Sequence, residues 1–228
     1  MAAPLQPEVK AMRRTREEAA ATRLAIMEKG LELFSEQGVA ATRLSDIAKS
    51  AGFTRGAIYW HFRNKWDLFD AICEHYSQPF KQLSDASLSD QEQDPLGKLR
   101  ELLVSILQKI EVDLSFRRMM LMFIRESSGI GEREVSDPVA RFMDYQHQRR
   151  LSVIRNGIRR GQLPVNVDPE AASWLIKAMV DGFVSSWLQR ASYFSISSNA
   201  DVFVDTVIAS LSALQPVPDS VDDEVCVL

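Results

Sequence analysis

The sequence predicts an all-α protein of about nine helices, an N-terminal three-helix head followed by a larger helical body. Three observations carry this. Apolar residues recur at helical period along nearly the whole chain and almost never alternate as in a strand. Glycines stand where helices must stop, at Gly38, Gly52 and Gly161. Three Asp-Pro pairs, Asp94-Pro95, Asp137-Pro138 and Asp168-Pro169, each supply a cap and a proline at the first helical position.

Taken in order, helix 1 is expected from about Glu17 to Gln37, with Ile26, Met27, Gly30, Leu33 and Phe34 as its apolar stripe. Two short helices follow around Gly52. The first is amphipathic through Leu44, Ile47, Ala48 and Ala51. The second is capped by Thr54 and turns Ile58 and Phe62 inward. Helix 4 starts at Asn64, with Asp67 completing an approximate capping box, and runs through Leu68, Phe69, Ile72 and Tyr76 toward Phe80. Residues 84–93 are polar and read as a linker. Helix 5 carries Leu96, Leu99, Leu103, Ile106 and Ile110, and helix 6 carries Phe116, Met119, Met120 and Phe123. Helix 7 runs to about Arg160, before Gly161 and Pro164. Helix 8 has Ala172, Leu175, Ile176, Met179, Phe183 and Trp187 on one side, with Trp174, Ala178 and Val184 adding apolar surface elsewhere. Helix 9, from near Asn199, shows Val204, Val207, Ile208, Leu211 and Leu214. A helix apolar nearly all round, then a strong stripe at the chain end, suggests burial against a second subunit. The expected boundaries give a flexible arm at 1–12, a three-helix head at 13–66, a larger helical body at 67–214, and a disordered acidic tail at 215–228.

A length of 228 residues with 46% hydrophobic content supports a head plus a body with a substantial core. No run approaches the roughly 18 apolar residues of a membrane span, and no apolar signal region opens the chain. Cys73 and Cys226 have no partner spacing, which suits a reducing cytoplasm. The net charge of −4 divides into +4 over residues 1–66 and −8 over 67–228. A basic head on an acidic body orients a protein toward phosphate; chance unevenness reads the same way.

Signals for catalysis are sparse. None of His61, His75 and His147 stands at ligand spacing from a cysteine or carboxylate, and no glycine-rich phosphate loop is present. No catalytic residue, metal or cofactor is expected, and the chain is not read as an enzyme. Residues 42–65 carry the strongest signal. The two short helices around Gly52 have helix-turn-helix spacing, and the second is the one expected in a DNA major groove. Thr54, Arg55, Gly56, Ala57, Tyr59, Trp60 and His61 point outward. An ordinary helical hairpin also favours Ala48, Gly52 and Ile58, but Tyr59, Trp60 and His61 are consecutive and cannot all be buried on one helix.

Residues 13–76 resemble the DNA-binding head of the TetR family of bacterial regulators. The matching elements are Thr22-Arg23, Ile26-Met27, Leu33-Phe34, Gly38-Val39, Thr42, Ile47-Ala48, Ala51-Gly52-Phe53, Gly56-Ala57-Ile58-Tyr59-Trp60-His61-Phe62, Lys65 and Leu68-Phe69. The run from Thr54 to Phe62 is most similar to AcrR-type repressors of multidrug efflux pumps. The resemblance implies that Thr42 and Tyr59 contact phosphate, that His61 helps hold the aromatic edge of the helix against the DNA backbone, and that Thr54, Arg55, Gly56 and Ala57 face the bases, with Trp60 a further DNA-binding candidate. For Arg55 a guanine contact and a phosphate contact are both open. Lys65 is read as a phosphate contact in the first turn of helix 4, and Arg43 as a further phosphate contact or a solvated cation.

The resemblance also implies a homodimer joined by helices 8 and 9, and an inducer cavity within helices 4–8. The candidate cavity residues are Cys73, Tyr76, Phe80, Leu103, Phe116, Met120, Phe123, Glu126, Phe142, Trp174, Met179 and Phe183. Flexible methionine with rigid aromatics suits a cavity, although each alone also suits ordinary core. Glu126 and Asp181 are read as counter-ions for cationic ligands or as surface acids. Val184, Trp187, Leu188, Val204, Ile208 and Leu211 are the candidate dimer contacts. The implied function is a ligand-responsive repressor that binds a palindromic double-stranded operator as a dimer, controls a multidrug efflux operon and is released by amphipathic or cationic small molecules. Regulation of a lipid or acyl-thioester operon, or activation, are the alternatives. A helical enzyme and a sequence-indifferent architectural DNA protein are rivals from other classes.

Overall fold

A computed structural model describes residues 7–127, 137–190 and 193–214. Among these residues there are nine helices and no strand: α1 Pro7–Gln37, α2 Leu44–Ser50, α3 Arg55–His61, α4 Lys65–Leu88, α5 Pro95–Val112, α6 Leu114–Ser127, α7 Asp137–Arg159, α8 Pro169–Gln189 and α9 Ile196–Leu211. The three expected stop glycines adopt the left-handed backbone, with φ of 85° at Gly38, 75° at Gly52 and 72° at Gly161. Two of the Asp-Pro starts are visible in side-chain detail. Asp168 accepts from the Glu170 N–H and Asp94 from the Gly97 N–H, both at 2.9 Å.

Four expectations need correction. First, α1 begins at Pro7, not near Glu17, so the arm expected over 1–12 is helical from Pro7 onward. Pro7 loses nothing at a first helical position, and the Arg-, Glu- and Ala-rich stretch after it favours helix. Second, α4 runs on to Leu88 and absorbs half of the expected linker, carrying Pro79 inside it. Third, α9 starts at Ile196, where the Ser195 hydroxyl caps it by accepting from the Ser198 N–H. Fourth, α1 buries Leu31, and Leu33 is only half-buried. The acidic tail expected at 215–228 lies outside the described residues.

The chain divides into two compact units, Met1–Pro79 with Asp113–Ala140, and Phe80–Val112 with Arg141–Leu228. In the first, α1, α2, α3 and the first part of α4 surround Ile26, Phe34, Ile47, Ile58, Phe62, Leu68, Phe69 and Ile72, each 1% exposed or less. A Cβ at Gly30 would stand 2.8 Å from the Leu68 side chain, so α1 and α4 approach more closely there than a larger residue allows. Helix α6, expected in the body, belongs to this unit: it packs along α1, and Phe123 meets Phe69 edge-on at 5.7 Å.

In the second unit α9 packs on α5 and α8. Ile176, Val184 and Trp187 of α8, with Ile196, Val204, Val207 and Leu211 of α9, are almost fully buried. Arg100 of α5 forks onto Asp205 and Asp201 of α9, and Glu111 accepts from the Ser195 hydroxyl and the Ser197 N–H at the start of α9. No helix among the described residues is long and apolar enough to cross a membrane.

Candidate nucleic-acid interface and its supports

Helix α3 is built to show one face. Thr54 caps it, its hydroxyl accepting from the Ala57 N–H at 3.1 Å. Ile58 and Phe62 anchor it inward at 0% and 1% exposure. The remaining side chains stand out: Thr54, Arg55 and Gly56 are exposed, Ala57 and His61 half-buried, Tyr59 46% and Trp60 74% exposed. Uncovered aromatics of this size on a seven-residue helix call for a partner, as their sequence run suggested. Arg55 stands 5.5 Å from the Tyr59 ring centroid, and Trp60 meets His61 edge-to-face at 4.5 Å. The imidazole of His61 is held below its usual pKa, first by partial burial and then by the charge of Arg23. Arg43 is exposed at the start of α2 and makes no capping contact with its side chain.

Two of the expected phosphate contacts are differently engaged. Thr42 is 2% exposed, and its hydroxyl donates to the Gly38 carbonyl at 2.7 Å. Lys65 donates to the Ala40 carbonyl at 2.6 Å and lies over the Trp66 ring. The first-turn N–H groups of α4 at Trp66 and Asp67 are taken by the Asn64 side chain, so they are not open to an anion. Thr42 and Lys65 therefore hold the turn between α1 and α2. A residue quoted only as part of the head's pattern gains a place here: Arg23 of α1 stands 4.7 Å above the Phe62 ring, with its guanidinium donating to the Met27 sulfur at 3.0 Å. The long separation of Arg23 from Phe62 along the chain left no periodic signal.

The twelve cavity candidates fall into both units. Cys73, Tyr76, Phe116, Met120, Phe123 and Glu126 lie in the first; Phe80, Leu103, Phe142, Trp174, Met179 and Phe183 lie in the second. Cys73 is 3% exposed, and burial, then the charge of Asp70, pushes its thiol pKa far up, which keeps it protonated. Burial also raises the Tyr76 phenol, against a hydrogen bond to Ser115. Phe183 stacks on Phe203 at 4.0 Å, and Leu103 and Phe116 are buried. Two candidates need correction. Trp174 is 52% exposed and stacks on His147, so it lies on the outside of α8. Glu126 accepts from the Val39 N–H at 2.9 Å and serves the head. Asp181, the other candidate counter-ion, pairs with Lys177. A polar cleft in the second unit, lined by Asp90, Asn156, Arg159 and Arg160, includes none of the twelve.

The dimer candidates also need correction. Val184, Trp187, Val204 and Leu211 are at most 2% exposed within one chain, where α8, α9 and α5 cover them; Leu188 and Ile208 are half-buried. The uncovered face of α8 is instead Trp174, Ala178, Gly182 and Ser186, and that of α9 is Ser198, Val202, Thr206 and Ala209, with Val202 71% exposed. Apart from Trp174 and Val202 these faces carry small or hydroxyl side chains with little hydrophobic signal, so periodicity pointed to the covered side. Among the described residues no cluster of His, Cys, Asp or Glu is arranged to hold a metal ion.

The family described as bacterial regulatory proteins, tetR family, matches residues 26–72, and the C-terminal region of MAATS-type transcriptional repressors matches 94–213. The chain is 36% identical over 205 residues to the HTH-type transcriptional regulator TtgR of Pseudomonas putida, covering 86% of this chain and 93% of that one. It is 32% identical over 193 residues to AcrR of Shigella flexneri, covering 84% and 90%. Among solved structures it is similar to SmeT, described as the repressor of the Stenotrophomonas maltophilia multidrug efflux pump SmeDEF, at TM-score 0.68 and 26% identity over 90% of this chain and 97% of that one. A SmeT–triclosan complex is similar at TM-score 0.69 and 26% identity, over 90% and 99%. The chain belongs to the tetR family of bacterial regulatory proteins, with the C-terminal region of a MAATS-type transcriptional repressor.

Proposed function

We propose that the chain is a ligand-responsive transcriptional repressor of a multidrug efflux operon, without catalytic activity of its own. The carrying observation is the outward face of α3, where Arg55, Tyr59 and Trp60 stand exposed on a helix fixed by Thr54, Ile58 and Phe62. Arg55 is the long donor for a base edge, with Gly56 and Ala57 allowing close approach, while Tyr59, Arg43 and Arg23 suit phosphate. Two copies joined through the open faces of α8 and α9 would present two such helices to a palindromic operator, about one DNA turn or a multiple apart. The efflux assignment is supported by the likeness to SmeT, the repressor of an efflux pump.

The inducer we propose is a small, neutral, amphipathic aromatic. Both candidate counter-ions are engaged, Glu126 by the Val39 N–H and Asp181 by Lys177, which disfavours a cation held by either. The relative SmeT is known as a complex with triclosan. A ligand releases DNA only if it binds the two conformers with different affinity. In a mobility-shift titration on the DNA upstream of the protein's own gene, triclosan should dissolve the complex at concentrations where ethidium does not. Release by ethidium alone would restore the cationic reading, and retention of DNA with both would contradict this inducer class.

A further inference from the structure

We infer that Arg125 and Glu126, at the C-terminal end of α6, are positioning residues for DNA binding: they grip the end of α1 and the turn from which α2 springs, and so couple α6 to the helix-turn-helix. The inference rests on the repressor reading above.

The last carbonyls of a helix have no partner within it. At the end of α1, Arg125 supplies one from another element, its Nη1 donating to the Glu36 carbonyl at 2.7 Å and reaching the Ser35 carbonyl at 3.5 Å. A cation there also complements the negative end of the helix dipole. Gly38 then reverses the chain with φ of 85°, and this aims the Val39 N–H at Glu126 Oε1, 2.9 Å away. Val39 is itself fully buried. The same short turn receives the Thr42 hydroxyl at Gly38 and the Lys65 ammonium at Ala40. A few residues after Val39, the Arg43 carbonyl accepts from Asp46 and Ile47 and α2 begins.

The turn is thus held from α4 by Lys65 and from α6 by Arg125 and Glu126, all through hydrogen bonds with one ionised partner, which are stronger than neutral ones. Along its length α6 is tied to α1 again where Arg118 faces Glu32 at 3.7 Å. A hydrogen bond of this kind does not survive a shift of about an ångström, so movement of the α6 end releases Val39 and loosens the seat of α2.

The test measures binding to the DNA upstream of the protein's own gene and to an unrelated duplex. Glu126→Ala and Arg125→Ala are each expected to lose about tenfold in affinity for the upstream DNA, with affinity for the unrelated duplex unchanged. Glu126→Gln should recover most of the loss, because its amide oxygen accepts from the same N–H. A structural role alone would lower both affinities together with the melting temperature. Upstream binding by Glu126→Ala equal to the unaltered chain, or Glu126→Gln as impaired as Ala, overturns the inference. Should the alanine variants fail to fold, amide exchange in the unaltered chain decides: Val39 is expected to be protected and to exchange faster with triclosan bound. A Val39 amide that exchanges freely in the unliganded protein also overturns it. Failure of the unaltered chain to prefer its upstream DNA would contradict the repressor reading instead.

Discussion

Arg23 stands above the ring of Phe62, and the two join the first helix of the head to the end of α3. The same guanidinium lies close enough to His61 to disfavour its protonation, adding to the effect of burial.

This arrangement makes a pH prediction. His61 has a lower pKa in the folded chain than the usual value near 6.5, so the unfolded chain binds more protons in that range. Its contribution to stability is intact above about pH 6.5 and declines as the pH falls through that value toward the lowered one. Thermal melts from about pH 7.5 to 5 should show the decline, and His61→Gln should flatten it. An equal slope in the variant would remove His61 as its source.

Gly38 is constrained twice, by its backbone and by its neighbour. A Cβ there would meet Glu126 Oε1 at 3.0 Å, whereas at Gly161, of similar φ, it would meet nothing within 4 Å. Alanine at either site should cost on the order of 1–3 kcal/mol through backbone strain. Gly38→Ala should cost more than Gly161→Ala in urea unfolding and should weaken operator binding as well. Equal unfolding costs would mean that Glu126 yields without loss.

The open faces of α8 and α9 are where the two copies of the proposed dimer would meet. Gly182→Leu places a bulky side chain on a face where a Cβ meets nothing within the chain, and it should convert a dimer to a monomer in sedimentation at micromolar concentration while the fold persists. Val204→Ala acts inside the protomer and should lower stability by on the order of 2 kcal/mol without changing the oligomeric state. The reverse pattern would return the interface to the side first inferred from periodicity.

Local chemistry made most of the fold legible in the sequence. Gly38, Gly52 and Gly161 announce left-handed stops, Thr54 and Asn64 announce caps, and Asp94 and Asp168 announce starts, because each acts on residues within a few positions of itself. The exposed side of α3 was legible for a similar reason, since three successive bulky residues on one helix cannot share an inward face. Contacts across the chain were not. Glu126 meets Val39 from 87 residues away, and no periodicity foretells which acid reaches which amide. Thr42 was read as a phosphate contact from the family resemblance and Lys65 from its charge in the first turn of helix 4, yet both donate to carbonyls of one turn. The dimer candidates raise a different point: an apolar stripe shows that a face is covered, not whether the cover comes from the same chain, and Val184, Trp187, Val204 and Leu211 are already covered within one chain.

On the proposed function, the outward face of α3 reads a DNA sequence. Nuclease footprinting on the DNA upstream of the protein's own gene, with the unaltered chain and with Arg55→Ala, decides whether it does. The unaltered chain should protect a palindromic stretch, and Arg55→Ala should lose about 1–3 kcal/mol of affinity for it while keeping its affinity for unrelated DNA. Undiminished protection by the Arg55→Ala chain, at the same concentrations and over the same bases, would contradict the claim.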